Sequence, residues 1–164
     1  MSTALSFRPI QPADNPAVAN IIRTVMTEYG AVGTGYSIND PEVDAMFEAY
    51  DHPRAHFLVL ENTEGQVIGC GGIAPLLGGD ADTCELKKMY FLPEARGHGM
   101  GRHLVQTLEE VARQRGFRYL YLETIESMCE AISLYQRLQF EALSGAMGNT
   151  GHSACGRFYG KKLV

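Results

Sequence analysis

Arg96-Gly97-His98-Gly99-Met100-Gly101 is the stretch on which the reading of this chain turns. Behind it, between Gly99 and Gly116, Leu104, Val105, Leu108, Val111 and Ala112 recur at helical spacing. Gly116 then follows Arg113 and Arg115 as a helix stop should. A helix N-terminus presents unpaired N–H groups and a partial positive charge, and glycines there let a ligand approach the backbone. Arg96, Gly97, Gly99 and Gly101 meet those conditions. Arg102 and His103 place positive charge in the first turn, which opposes the helix dipole unless an anion is bound. The stretch therefore predicts a pyrophosphate site, against the plainer reading of a loop that needs glycine only for positive φ.

Two other phosphate folds compete for the same glycines. A P-loop is excluded because no Gly-Lys-Ser/Thr ending follows, leaving no lysine for the terminal phosphates and no hydroxyl for magnesium. A dinucleotide fold has in its favour Glu123, about 20 residues further on, where a ribose-binding acid belongs. Against it stand Arg102 in the place of the third glycine and the intervening Leu92-Pro93-Glu94-Ala95. The preceding strand also carries Glu85, Lys87 and Lys88 where a central parallel strand should be apolar.

Outward from this centre, Thr83 to Leu92 reads as a strand, entered from the turn Gly78-Gly79-Asp80. His56–Leu60 and Gln66–Ile73 flank Asn62-Thr63-Glu64-Gly65 and read as a hairpin. Leu5–Ile10 is a first strand. Asp14 stands where a cap belongs before Ala17, Val18, Ile21, Ile22 and Val25, which have helical spacing. Glycines from Gly30 onward end that helix, and Asp40-Pro41 supplies a cap and first-turn proline for a second helix reaching about Tyr50. On the other side, Phe117–Glu123 is a strand, Ala131, Ile132, Tyr135 and Leu138 mark a helix face, and Arg157–Leu163 is a last strand. With no repeat, linker or low-complexity segment, residues 1–164 are expected to form one domain.

Composition narrows the class of function. The chain has 164 residues, 45% hydrophobic and 20% charged, as expected of an ordinary folded protein. A net charge of −5 disfavours nucleic acid and anionic lipid as partners. Cys70, Cys84, Cys129 and Cys155 are too scattered for zinc and too few for a disulfide framework, so reduced thiols in a cytoplasmic protein are expected. No leader or membrane-spanning run is evident, so neither export nor membrane attachment is expected. His52, His56, His98, His103 and His152 show no metal-ligand spacing, so no metal is expected.

The residues resemble the GNAT superfamily of acetyl-CoA-dependent N-acetyltransferases, whose motif Gln/Arg-x-x-Gly-x-Gly/Ala lies between a strand and a helix. Arg96 to Gly101 fits that motif throughout, and Cys84 to Pro93 looks like the family's fourth strand, whose backbone pairs with the pantetheine arm of acetyl-CoA. Ala131-Ile132-Ser133-Leu134-Tyr135 and Phe140 look like the Ala-x-x-x-Tyr helix and the aromatic after it. The resemblance covers about Gln66 to Phe140. It implies an α/β fold of the α+β type, a mixed, mostly antiparallel central sheet flanked by helices. Two departures stand out: Met128, where many members have an asparagine that bonds pantetheine, and Gln139-Phe140 in place of Gly-Phe.

The resemblance implies an acyl-CoA-dependent N-acyltransferase with acetyl-CoA as co-substrate. The co-substrate would lie against Met89, Tyr90, Phe91, Arg96, Gly97, His98, Gly99, Met100, Gly101 and Arg102. Thioester aminolysis needs a base for the amine, a donor for the oxyanion and a proton for the thiolate. Glu85, eleven residues ahead of Arg96, matches the family's basic glutamate, whereas strand alternation alone makes it a solvated residue paired with Lys87. Tyr135 matches the tyrosine that serves as general acid, although on pattern alone it is an amphipathic core residue. The oxyanion donor is expected from a backbone N–H near Met89 to Phe91.

The Gly30–Ile38 loop is expected to roof the acceptor. Tyr36, Ser37 and Asn39 on or beside that loop, and Glu123 and Thr124 at the end of the next strand, are the acceptor-binding candidates. Gly148 to Cys155 reads more simply as a hairpin turn than as part of that pocket. The expected acceptor is a small-molecule primary amine, with a protein amine as alternative, and the resemblance leaves room for a homodimer. A non-catalytic acyl-CoA-binding module is the competing reading, followed by a nicotinamide dinucleotide-binding protein.

Overall fold

The computed structural model describes residues 5–164. Seven strands make one sheet in the order β1-β2-β3-β4-β5-β7-β6. β1 (Ser6–Pro9), β2 (His56–Glu61), β3 (Val67–Pro75) and β4 (Thr83–Phe91) pair antiparallel in succession. β4 and β5 (Tyr119–Thr124) form the parallel pair, joined over the face of the sheet by the helix α3 (Met100–Gln114). β7 (Arg157–Lys162) runs antiparallel to β5 and carries the short β6 (Glu141–Leu143) on its far side. The sheet is mixed and mostly antiparallel, as expected. β6, at three residues too short to show alternation, was not legible in the residue pattern, although the resemblance implied a strand opened by Phe140.

Side chains alternate along the strands, so each face of the sheet acquires its own core. Leu58 and Ile73 join Leu104, Leu108, Phe117 and Leu120 beneath α3 and α4 (Cys129–Arg137). Phe57, Val59 and Cys70 face the other way, against Val18, Ile21, Ile22 and Val25 of α1 (Asn15–Glu28). Each fully buried leucine or isoleucine contributes about 1.5–3 kcal/mol by leaving water. Among the described residues, no helix is long and apolar enough to cross a membrane, and all four cysteines are free thiols.

The region between α1 and β2 departs from expectation. The predicted second helix breaks into a 3₁₀ segment, Pro41–Asp44, and one helical turn, α2 (Met46–Ala49). Neither aspartate assigned as a cap makes a side-chain cap bond. Asp14 instead accepts hydrogen bonds from Arg8 at 2.8 and 2.9 Å and from the Gln11 N–H at 2.7 Å. Asp40 is drawn into the centre of the molecule, as described below. For Asp40, charge partners distant in sequence outweighed local capping, whereas Asp14 serves the turn one step earlier, at Gln11, and pairs with the nearby Arg8.

α3 and α4 end in the same way. After α3, Phe117 N–H bonds the Ala112 carbonyl and Gly116 N–H that of Arg113, the paired closure of a Schellman motif. After α4, Phe140 N–H bonds Tyr135 and Gln139 N–H bonds Gln136, with the Tyr135 and Phe140 rings in contact 5.7 Å apart. The residue that turns the chain must be left-handed: Gly116 has φ +85°, and Gln139 has φ +70°. Gln139 therefore holds a backbone state that costs an L-residue roughly 1–2 kcal/mol. Gln139→Gly is expected to raise stability by about 1 kcal/mol and the thermal midpoint by about 2–4 °C, measured by thermal denaturation. An unchanged or lower midpoint would contradict the strain.

Candidate active site

The site starts from an irregularity in β4. Cys70 of β3 opposes Tyr90 and Gly72 opposes Lys87, so Gly71 faces two residues, Lys88 and Met89. This is a β-bulge, and Lys88 within it is left-handed, with φ +57°. The Cys70 thiol donates to the Lys88 carbonyl at 3.3 Å. The extra residue exchanges the faces: Leu86, Met89 and Phe91 belong to the α3 side, whereas Tyr90 belongs to the α1 side. Lys88 turns the same way as Tyr90 and reaches Asp40. The bulge is the physical reason a lysine and a tyrosine join Glu85 on one face.

Pairing between β4 and β5 stops at Glu85 opposite Tyr121, after three residue pairs. Beyond it the strands part and two cavities open. The larger, about 420 Å³, is lined by Met89, Tyr90 and Phe91, by the glycine-rich turn and by Glu130, Ala131, Leu134 and Arg137 of α4. The smaller, about 60 Å³, holds Glu85, Lys88, Glu123, Thr124, Tyr135 and His152 under Ala31, Tyr36 and Ser37. Tyr29, Met89, Tyr90 and Met128 line both, so the two meet at the bulge.

The groove suits a phosphorylated ligand. Gly97 and Gly99 are left-handed at φ +78° and +73°, and a side chain on either would project into open space. The first bond of α3 runs from His103 N–H to Gly99, leaving the preceding N–H groups to a ligand. All the predicted cofactor residues except His98 line this groove. Arg96 has a different task from the one its charge suggests. Its guanidinium pairs with both Glu28 oxygens at 2.7 and 2.8 Å and with the Phe91 carbonyl at 3.0 Å, pinning the turn to α1. At the Met128 departure, the side chain that replaces asparagine offers no hydrogen-bond donor, and α4 has no side-chain cap.

The small cavity contains an ordered set of charges. His152 Nε2 donates to Asp40 at 2.9 and 3.1 Å, and Nδ1 lies 3.5 Å from Glu123. Glu123 also accepts from Tyr121 at 2.7 Å and Thr150 at 2.6 Å. The Lys88 ammonium, its side chain 1% exposed, is 2.7 Å from Asp40 and 3.2 Å from Glu42. The hydrogen bonds to Asp40 and Glu123 hold His152 up at about 9 against burial. Burial pushes Asp40 upward, but the His152 hydrogen bond and the Lys88 charge outweigh it and leave the carboxyl at about 2. Burial acts the same way on Glu123, where the bonds from His152, Thr150 and Tyr121 reverse it and keep it below the usual carboxylate range.

Glu85 differs from its neighbours. It is 4% exposed, not solvated as alternation suggested, and has no hydrogen-bond partner among the described residues. Burial lifts its carboxyl to about 7, with Glu123 adding to the rise and Lys87 opposing it. Tyr135 also lines the cavity, and burial pushes its hydroxyl well above the usual range. Of the acceptor candidates, Tyr36, Ser37, Glu123 and Thr124 reach the cavity, whereas the Asn39 amide turns to the Gly33 carbonyl. His152 and Cys155 line it too, correcting the view of their loop as a simple turn. Glu85, Glu123 and His152 bring ligand-type atoms within 4.8 Å of one another, a grouping that histidine spacing could not reveal.

A pyrophosphate-ready helix start, joined through a parted strand pair to a buried carboxylate, defines an acyl-CoA-dependent transferase. The chain belongs to the Acetyltransferase (GNAT) family, whose model matches residues 19–140, and acetyl-CoA fits as its co-substrate. It is 48% identical over 150 residues to the uncharacterized N-acetyltransferase YjgM of Escherichia coli K12, covering 91% of this chain and 89% of that protein. An L-methionine sulfoximine/L-methionine sulfone acetyltransferase of Pseudomonas paraeruginosa is 27% identical over 148 residues, 89% of this chain and 85% of that protein. The fold also matches YncA of Salmonella typhimurium, solved with acetyl-CoA, at a TM-score of 0.77 and 23% identity over 98% of this chain and 95% of that one.

The raised His152 value sets a pH dependence. The group binds its proton more tightly when folded, so its contribution to stability is complete below about pH 6.5 and lost as pH rises through about 9. His152→Gln is expected to remove the decline in thermal midpoint across that window while leaving the Glu85-linked decline between about pH 4.5 and 7. A full pH series of melting curves on both proteins checks this. Parallel curves above pH 6.5 would refute the charged pair.

Proposed function

We propose that this protein transfers the acetyl group of acetyl-CoA to the primary amine of a small molecule by direct attack, with Glu85 as general base and Tyr135 as general acid. The observation that carries the reading is Glu85 itself: a buried, unpartnered carboxylate with its pKa at about 7, in the lining of the smaller cavity. A base poised near the working pH is most often ionised when the amine needs to lose its proton, yet strong enough to take it.

The amine approaches from the small cavity while the thioester lies along the splayed edge of β4. Glu85 accepts the amine proton, directly or through one water, as nitrogen attacks the carbonyl carbon. A backbone N–H between Met89 and Phe91, on the edge β5 has left, receives the developing oxyanion. Collapse breaks the carbon–sulfur bond, and the Tyr135 hydroxyl gives its proton to the departing thiolate. Burial keeps that hydroxyl protonated until it is needed. Tyr36, Ser37, Glu123 and Thr124 contact the acceptor, and Glu123 also holds the late loop in place through Thr150 and His152.

The cavity's size and closure support a small acceptor over a protein amine. Its roof is tied down by the Ala154 N–H to the Gly35 carbonyl at 3.2 Å and by the His152–Asp40 pair. The Pseudomonas relative, named for two small molecules, agrees in scale alone. All seven strands share one sheet, so we take the chain to act as one N-acetyltransferase domain.

Glu85→Gln is expected to lower kcat/KM by about 10²–10⁴ and to remove the acidic limb centred near pH 7, with acetyl-CoA affinity unchanged. Release of free CoA followed from pH 5.5 to 9 tests this, and an unaltered pH profile would eliminate Glu85 as base. Tyr135→Phe should reduce kcat by about 10²-fold or more, within the range for general acids, at a near-native thermal midpoint. Equal rates would return Tyr135 to a packing role.

A further inference from the structure

The charges of the acceptor cavity discriminate among amines. Its lining carries two carboxylates, Glu85 and Glu123, and two cations, Lys88 and His152. Neither cation is free. Lys88 is held by Asp40 and Glu42, and His152 by Asp40 and Glu123. Among the described residues no arginine lines the cavity, and its other polar groups are the hydroxyls of Tyr36, Ser37 and Thr124 and the Cys155 thiol. Of the charged groups, Glu85 alone lacks a hydrogen-bond partner, and it is 4% exposed.

We propose that the acceptor is an amine bearing no carboxylate on the carbon attached to its nitrogen, so that Glu85 and Glu123 bind its ammonium and α-amino acids are rejected. The inference rests on the reading that the amine reaches Glu85. A carboxylate on the adjacent carbon lies within about one residue's backbone of the nitrogen, so it enters the same cavity of about 60 Å³. There it meets the Glu123 carboxylate of the lining at close range, with both lining cations already held by carboxylates. A buried anion without a partner is strongly unfavourable, and like charges placed together suppress the wrong ligand. Hydroxyl and thioether walls, including Met26 and Met128, accept a neutral or apolar substituent instead.

Matched pairs test this without altering the protein. The full chain, saturated with CoA, is titrated calorimetrically with ethylamine and alanine, 3-methylthiopropylamine and methionine, and tyramine and tyrosine, together with the amide of each amino acid. Each amine is expected to bind at least tenfold more tightly than its amino acid, and each amide within about threefold of the amine, since the amide keeps the bulk and removes the charge. Equal or tighter binding of the amino acids, an amide as weak as its acid, or no binding by any of the amines overturns the inference. Parallel CoA-release assays with acetyl-CoA keep the two readings separate. Amines that bind in the expected order without turnover would overturn the Glu85 mechanism and leave the charge rule standing. Turnover in which alanine, methionine or tyrosine is preferred would do the reverse.

Discussion

The parting of β4 from β5 beyond Glu85 is the constraint on which the rest of the molecule depends. Two parallel strands that paired along their full length would leave no cavity and no free N–H groups. Here the bulge at Lys88 bends β4 away after three pairs, opposite the start of α3. The groove, the smaller cavity and the edge between them all follow from that one irregularity. Its maintenance falls to the Cys70 thiol on the bulge carbonyl and to Asp40, which captures the Lys88 ammonium.

Asp40 is the node that ties three remote segments together. It receives Lys88 from the sheet and His152 from the late loop while following directly on the loop over the smaller cavity. Each bond satisfies a buried charge that would otherwise be costly, so the network is structural before it is chemical. Glu123 belongs to that network, with three donors around it. Glu85, on the neighbouring strand, was left out of it. Two glutamates a few ångströms apart thereby acquire opposite characters, one held ionised by hydrogen bonds and the other raised to about 7 by burial.

How much of this was legible in sequence varied with the range of the interactions. The helix after Gly101 and its stop at Gly116 could be read because apolar spacing, glycine and terminal charge act within a few residues of one another. Asp40 was misread as a cap because its true partners, Lys88 and His152, outcompete the local N–H groups, and Asp14 because it bonds the Gln11 N–H and Arg8 ahead of α1 rather than the N–H groups of α1 itself. His152 offered no usable signal: it is 112 positions from Asp40, and no local pattern encodes that meeting. Gln139 was visible as a departure from Gly-Phe, but that it adopts the left-handed turn unaided required the backbone.

By itself the sequence determined the sheet-and-helix alternation, the phosphate-binding helix start and the family to which the chain belongs, since each is written in residues adjacent along the chain. Tertiary structure alone decided that Glu85 is buried and unpartnered, that Arg96 serves α1, and that His152 reaches Asp40 beside the smaller cavity. Those properties depend on which charges are brought out of water together. That is set by the packing of distant segments and by a bulge that reverses the faces of β4, an event with no sequence period to announce it.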